Sequence, residues 1–114
     1  MIDIKAIQET FKDYPDMLPK LLDLLKKELP LLSTDLQLAF KNKNIKALQA
    51  TAHKIRGTSG CCHAKNLHKA AADFENFLET TPDFKKVTII TKHYQRLLKE
   101  IEAVEKDLAV YFKD

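Results

Sequence analysis

The stretch A-H-K-I-R-G-T-S-G, residues 52–60, brings together one histidine and both glycines of the chain, Gly57 and Gly60. Imidazole changes charge near neutral pH, and its neutral form is a nucleophile that can form covalent intermediates. Lys54, Arg56 and Lys46 surround His53 in the chain and would attract an anion such as a phosphoryl group. No carboxylate lies within four residues of His53 on either side, and there is no phosphate-cradling glycine loop. The local sequence offers a nucleophile without machinery, which implies that a partner supplies the rest of any reaction.

The element that carries this stretch reads as an amphipathic helix from near Ile45 to Cys62 or His63. At about 100° of rotation per residue, Leu48, Ala52, Ile55, Ser59 and Cys62 form its core-facing side. His53 points outward. Gln49, Lys46, Ala50, Arg56, Gly57 and Gly60 share its half of the helix, and Lys54 sits on the flank. Glycine in a helix interior costs roughly 0.5–1 kcal/mol relative to alanine. Close packing between helices is not the expected reason for glycines on this face. They are expected to clear side chains from the surface beside the imidazole so that another molecule can come close.

Around this helix the periodicity places others. Asp3 is the expected N-cap of a first helix with Ile4, Ile7 and Phe11 on one face. A second begins between Pro15 and Pro19 and carries Leu18, Leu22, Leu25, Leu29, Leu32, Leu36 and Ala39 at three–four spacing. Pro30 interrupts that pattern and is expected to kink the helix or split it near Leu29. A fourth covers Asn66 to Glu79. Thr80-Thr81-Pro82 reads as a stop and restart, with Thr81 as N-cap and Pro82 at the first helical position. The last helix runs with Val87, Ile90, Tyr94, Leu97, Ile101, Val104, Leu108 and Tyr111. Short connections between helices of this length imply antiparallel neighbours. The expected fold is all-α: an antiparallel up-down-up-down four-helix bundle with a short additional N-terminal helix, forming one domain over residues 1–114.

Composition agrees with one helical core: 114 residues, 45% hydrophobic, with Gly 2 and Pro 4. A net charge of +3 spread over several faces argues against nucleic acid as partner. No apolar run approaches the roughly 18 residues of a membrane span, and the N-terminus lacks the pattern of a signal peptide. Adjacent Cys61 and Cys62 point to different sides of a helix and read as reduced thiols. Cytoplasmic localisation is expected, either alone or as a piece of a larger, membrane-attached chain. A zinc site from Cys61, Cys62, His63 and His68 is disfavoured because Cys62 points to the core and His63 away from it. His93 shows no partner pattern and reads as surface, and the lysine-rich stretches 41–46 and 85–92 read as solvated faces.

His53-Lys54-Ile55-Arg56-Gly57-Thr58-Ser59-Gly60, followed by Leu67, Ala71 and Phe74-Glu75, resembles the histidine-containing phosphotransfer (HPt) domain, whose pattern is roughly H-x-[LI]-K-G-[ST/A]-[SA] with a late acidic residue on the next helix. Leu29-Pro30-Leu31-Leu32 with Leu36 and Ala39 looks like the family's second helix. The likeness is to the C-terminal modules of bacterial hybrid sensor kinases. It implies that His53 accepts a phosphoryl group on Nε2 and that Gly57 lets a receiver domain approach. Arg56 stands where the family usually has lysine, which keeps the charge but replaces a compact ammonium with a planar fork.

The resemblance further implies a relay. A receiver aspartyl phosphate of a hybrid sensor kinase donates to His53, and the receiver of a response regulator accepts in turn. The Mg²⁺ is supplied by the receiver, and this domain holds neither metal nor cofactor of its own. It has no autonomous kinase activity, no direct membrane contact, and acts as a monomer. The alternative is a non-catalytic helical adaptor that docks through the same face, which would tolerate replacement of His53.

Overall fold

The computed structural model describes residues 2–81 and 83–112. Among these residues five helices follow one another: α1 (Ile4–Thr10), α2 (Met17–Lys41), α3 (Ile45–Cys61), α4 (Lys65–Glu79) and α5 (Val87–Tyr111). Asp3 caps α1 by accepting from the Ala6 amide, and Asn44 caps α3 by accepting from the Ala47 amide. Pro19 falls in the first turn of α2, where its missing N–H would have had no partner in any case.

Side-chain pairs give the relative direction of every neighbouring pair of helices. Leu21 and Leu25 border one depression with Cys61 and Cys62, and Leu38 and Ala39 border another with Ala47 and Ala50, so α2 and α3 run antiparallel. Glu75 meets His53 while His68 lies against Gly60, so α3 and α4 do the same. Phe77 stacks on His93 and Asp73 pairs with Arg96 between α4 and α5. Phe40 stacks on Tyr94 at one end of the α2–α5 seam and Lys26 lies over Phe112 at the other. The ring α2–α3–α4–α5 is therefore an up-down-up-down bundle. Its core holds Leu22, Leu29 and Leu36 of α2, Leu48 and Ile55 of α3, Leu67 and Phe74 of α4, and Leu97 and Ile101 of α5. Helix α1 buries Ile7 against one end of it. Among the described residues, no helix is long and apolar enough to cross a membrane.

The structure corrects two of the expected boundaries. Of the two outcomes expected at Pro30, a kink or a split near Leu29, the split does not occur: α2 continues through the proline. The ring lies on the exposed side, the Pro30 carbonyl accepts from the Thr34 hydroxyl, and Leu29 and Leu32 hold both halves to one core. Thr81 does not open α5: its hydroxyl donates back to the Phe77 carbonyl at 2.9 Å and its amide to Leu78, so it closes α4 instead. Pro82, assigned by sequence to the first turn of α5, lies outside the described residues, and α5 starts at Val87.

The α2–α3 and α3–α4 corners share one device. The Ala64 amide bonds the Ser59 carbonyl while the His63 amide bonds that of Gly60, and Asn44 and Lys43 repeat this with Ala39 and Phe40. These are Schellman closures, which need a left-handed residue in a place where glycine is the usual choice. Here His63 and Lys43 occupy it, each with φ 53°.

Candidate functional site

His53 stands mid-way along α3 with its side chain 72% exposed. The core-facing residues Leu48, Ala52 and Ile55 are fully buried on the other side of the helix, which fixes the rotation of α3 and turns the imidazole outward. What the local sequence lacked, α4 provides. Glu75 Oε2 lies 2.7 Å from His53 Nδ1, across 22 residues of chain, and Glu75 Oε1 accepts from Arg56 Nη1 at 3.2 Å. The reading of an imidazole without an acid–base partner is thus corrected.

Glu75 is in place because its neighbours in the α4 stripe, Ala71, Phe74 and Leu78, are buried and carry it to the α3 seam. Its side chain is only 9% exposed. A carboxylate so withdrawn from water needs compensation, and the two hydrogen bonds from α3 supply it. With neutral imidazole the geometry assigns the proton to Nδ1, which donates to the carboxylate. The lone pair then sits on Nε2, which has no protein partner among the described residues. The arrangement can present an oriented nucleophile to solvent and can stabilise positive charge on the ring once Nε2 forms a bond.

The other residues singled out by sequence divide between two flanks. Arg56 is committed to Glu75, so it is a fixed part of the site and not a free cation beside it. Lys54 turns toward α2, and Lys46 is exposed two turns before His53. Gln49 is half-buried one turn before His53, and Ala50 borders the depression against the C-terminal end of α2.

The two glycines have different roles. A Cβ on Gly57 would meet nothing within 4 Å. A Cβ on Gly60 would lie 3.4 Å from Cε1 and Nδ1 of His68, whose Nδ1 is 2.9 Å from the Arg56 carbonyl and so donates to it. Gly60 therefore adjoins a side chain of its own molecule while staying exposed in the depression beside His53. His53, Arg56, Gly57, Gly60, Cys61 and His68 together line one shallow depression.

His93 is also not the surface residue expected. Its ring stacks on Phe74 at 5.5 Å and 4°, and on Phe77 at 5.1 Å and 24°. Burial holds its pKa below the ordinary value, the Arg96 guanidinium adds to the effect, and the Asp73 carboxylate opposes it. Cys61 is exposed and Cys62 buried. Burial above all, with Cys61 and Glu28 adding, pushes the Cys62 thiol up to about 11, so it stays protonated. Among the described residues, no three metal-ligating side chains stand together.

Comparison with known proteins agrees with this geometry. Residues 20–107 match the family model of the Hpt domain. No curated protein matches the chain. Among solved structures, the fold is similar to that of the HPT domain from the Hpt sensor hybrid histidine kinase of Shewanella, with a TM-score of 0.84 at 17% identity, covering 96% of this chain and 92% of that one. An outward imidazole on one helix of a four-helix bundle, in a chain whose span from α2 to α5 matches that family model, leads to one conclusion: the chain belongs to the Hpt domain family and is a phosphorelay intermediate that exchanges phosphoryl groups with receiver domains.

Proposed function

We propose that His53 is the phosphoryl acceptor and that Glu75 is its positioning residue. The observation that carries this reading is the 2.7 Å contact between His53 Nδ1 and Glu75 Oε2, which leaves Nε2 as the exposed nitrogen. The Nε2 lone pair attacks the phosphorus of a receiver aspartyl phosphate in line. An N–P bond forms as the acyl P–O bond breaks, and the bonding electrons leave on the aspartate carboxylate. The ring becomes a phospho-imidazolium whose Nδ1–H remains shared with Glu75. Transfer onward to a second receiver reverses these steps.

Phosphoryl transfer depends chiefly on positioning and charge neutralisation, so an oriented imidazole is sufficient on this side. Mg²⁺ belongs to the receiver's acidic pocket, where it neutralises phosphoryl charge. The carboxylate beside His53, that of Glu75, is already occupied by His53 and Arg56. The donor is a receiver of a hybrid sensor kinase and the final acceptor that of a response regulator. The domain acts as a monomer in the cytoplasm, without nucleic acid, membrane contact or kinase activity of its own.

The test is incubation with a phosphorylated receiver and Mg²⁺. The label on this chain should be lost in acid, persist in alkali, and vanish in His53→Gln at unchanged helicity. Labelling at full level in that variant removes His53 from the mechanism. Docking with no labelling of the wild type would favour the adaptor reading.

A further inference from the structure

Helix α4 holds Arg56 at two points. Glu75 Oε1 accepts from the Arg56 guanidinium at 3.2 Å, and His68 Nδ1 donates to the Arg56 carbonyl at 2.9 Å. These two ends of one residue lie apart along α3. A helical carbonyl points toward the C-terminus, whereas the side chain leans back toward the N-terminus. Because α4 runs antiparallel to α3, His68 reaches the first and Glu75 the second. His68 and Glu75 belong to one stripe of α4, two helical turns or about 10.5 Å of axis apart. Within α3 the Ser59 hydroxyl lies closer to the Ile55 carbonyl, at 2.6 Å, than to that of Arg56, at 3.1 Å. The bond from His68 therefore brings to the Arg56 carbonyl a donor from another helix.

We propose that His68 is a second positioning residue for phosphoryl transfer: by holding the Arg56 carbonyl it sets the axial register of α4 on α3, and so keeps Glu75 within reach of His53. The proposal rests on His53 being the acceptor. Register needs such a device because the buried side chains around these contacts include several small ones, Ala52 and Ser59 on α3 and Ala70 and Ala71 on α4. Small knobs fill shallow holes, so a slide of one helix along the other loses little packing. A hydrogen bond is less forgiving. The contact between Glu75 Oε2 and His53 Nδ1 is 2.7 Å long, and a shift of about 1 Å ends it. His68 acts through Arg56 and Glu75 and uses its Nδ1–H alone. Its ring also lines the depression at His53, so a direct action of Nε2 on the phosphoryl group is the rival account.

Three variants of the full chain separate the two accounts. The amide of His68→Asn has its N–H at the same number of bonds from the backbone as Nδ1. That of His68→Gln lies one bond further out, in the place of Nε2, and His68→Leu has no donor. Transfer from a phosphorylated receiver is measured in single turnover over a range of receiver concentrations, and the His53 tautomer by nitrogen-15 NMR. In the Leu and Gln variants the limiting rate should fall about tenfold at an unchanged half-saturating concentration. Their His53 should show a mixture of tautomers. His68→Asn should keep most of the rate and the proton on Nδ1 of His53. In a Glu75→Ala background, His68→Leu should cost nothing further, because the two residues act in series.

A wild-type rate and tautomer in His68→Leu overturn the proposal. So does a rate kept by Gln and lost by Asn, which makes Nε2 the acting atom, and so does a full additional loss in the Glu75→Ala background. Should His68→Leu fail to fold, the comparison of Asn with Gln decides alone, since both keep a polar amide at the position. A wild type that takes no label on His53 sinks the phosphotransfer reading instead, while the tautomers of the same variants still report whether His68 holds Glu75 in register.

Discussion

Glu75 on α4 holds His53 on α3 at 2.7 Å and holds Arg56, one turn further along α3, through its other oxygen. One buried carboxylate thus fixes the imidazole's tautomer and commits the adjacent cation. Arg56 is the residue in this chain where the Hpt pattern usually has lysine, and its planar fork suits a carboxylate neighbour.

Glu75→Gln keeps an acceptor for Nδ1–H but removes the negative charge that balances a phosphorylated ring. Transfer to His53 should fall about tenfold, and Glu75→Ala, which also frees the ring to rotate, should bring the loss to about a hundredfold. Nitrogen-15 NMR of the imidazole separates positioning from mere stability. The wild type and Gln variant should show the proton on Nδ1 at neutral ring charge, and the Ala variant a mixture of tautomers. An unchanged tautomer and rate in Glu75→Ala would exclude the positioning role.

Gly57 and Gly60 should respond differently to alanine. At Gly57 the added methyl meets open space, so the fold should gain about 0.5–1 kcal/mol. Leu and Glu should be tolerated there by the fold, yet phosphotransfer should fall in the order Gly, Ala, Leu, Glu as the docking space closes. Gly60→Ala should gain less, because its methyl must share space with the His68 ring. Melting temperature and transfer rate on the same proteins check both statements. A Gly57→Leu protein that transfers at the wild-type rate would contradict them.

His93 makes the fold sensitive to acid. Its pKa in the folded chain lies below the ordinary 6.5, chiefly through burial against Phe74 and Phe77. The unfolded chain therefore binds this proton first. Stability is fully present above about 6.5 and declines as the pH falls from there toward the folded value. Urea unfolding at a series of pH values should show this decline, and His93→Phe, which keeps a stacked ring, should flatten it between pH about 6.5 and the folded value.

Lys43 occupies a left-handed position with φ 53° at an exposed corner. Such a backbone costs a non-glycine residue about 1 kcal/mol or more, partly offset in glycine by greater freedom when unfolded. Lys43→Gly should stabilise the domain by about 0.5–1 kcal/mol with no change in transfer rate, measured by denaturant midpoint. A lower midpoint would mean that the Lys43 side chain contributes more than its backbone strain removes.

Much of the bundle was legible in the sequence because helix-facing is a local property. The three–four spacing of Leu22, Leu25, Leu29, Leu32 and Leu36 determines which side of α2 is buried whatever it packs against. The same arithmetic turned His53 outward and Cys62 inward, and left the space above Gly57 empty. Boundaries were less legible: Thr81 has the composition of an N-cap, but its hydroxyl found the Phe77 carbonyl of the preceding helix first.

The sequence by itself determined five amphipathic segments, their inward faces, and an exposed imidazole with a bare glycine one turn beyond it. Only the tertiary structure decided what those faces touch. Glu75 reaches His53, His68 lies across Gly60, and His93 stacks on Phe74 because of the axial register and rotation of one helix against the next. Periodicity fixes the angle of a residue about its own axis, whereas a contact 22 residues apart in the chain depends on where two axes are placed relative to each other, and that placement is set by the packing of the whole core.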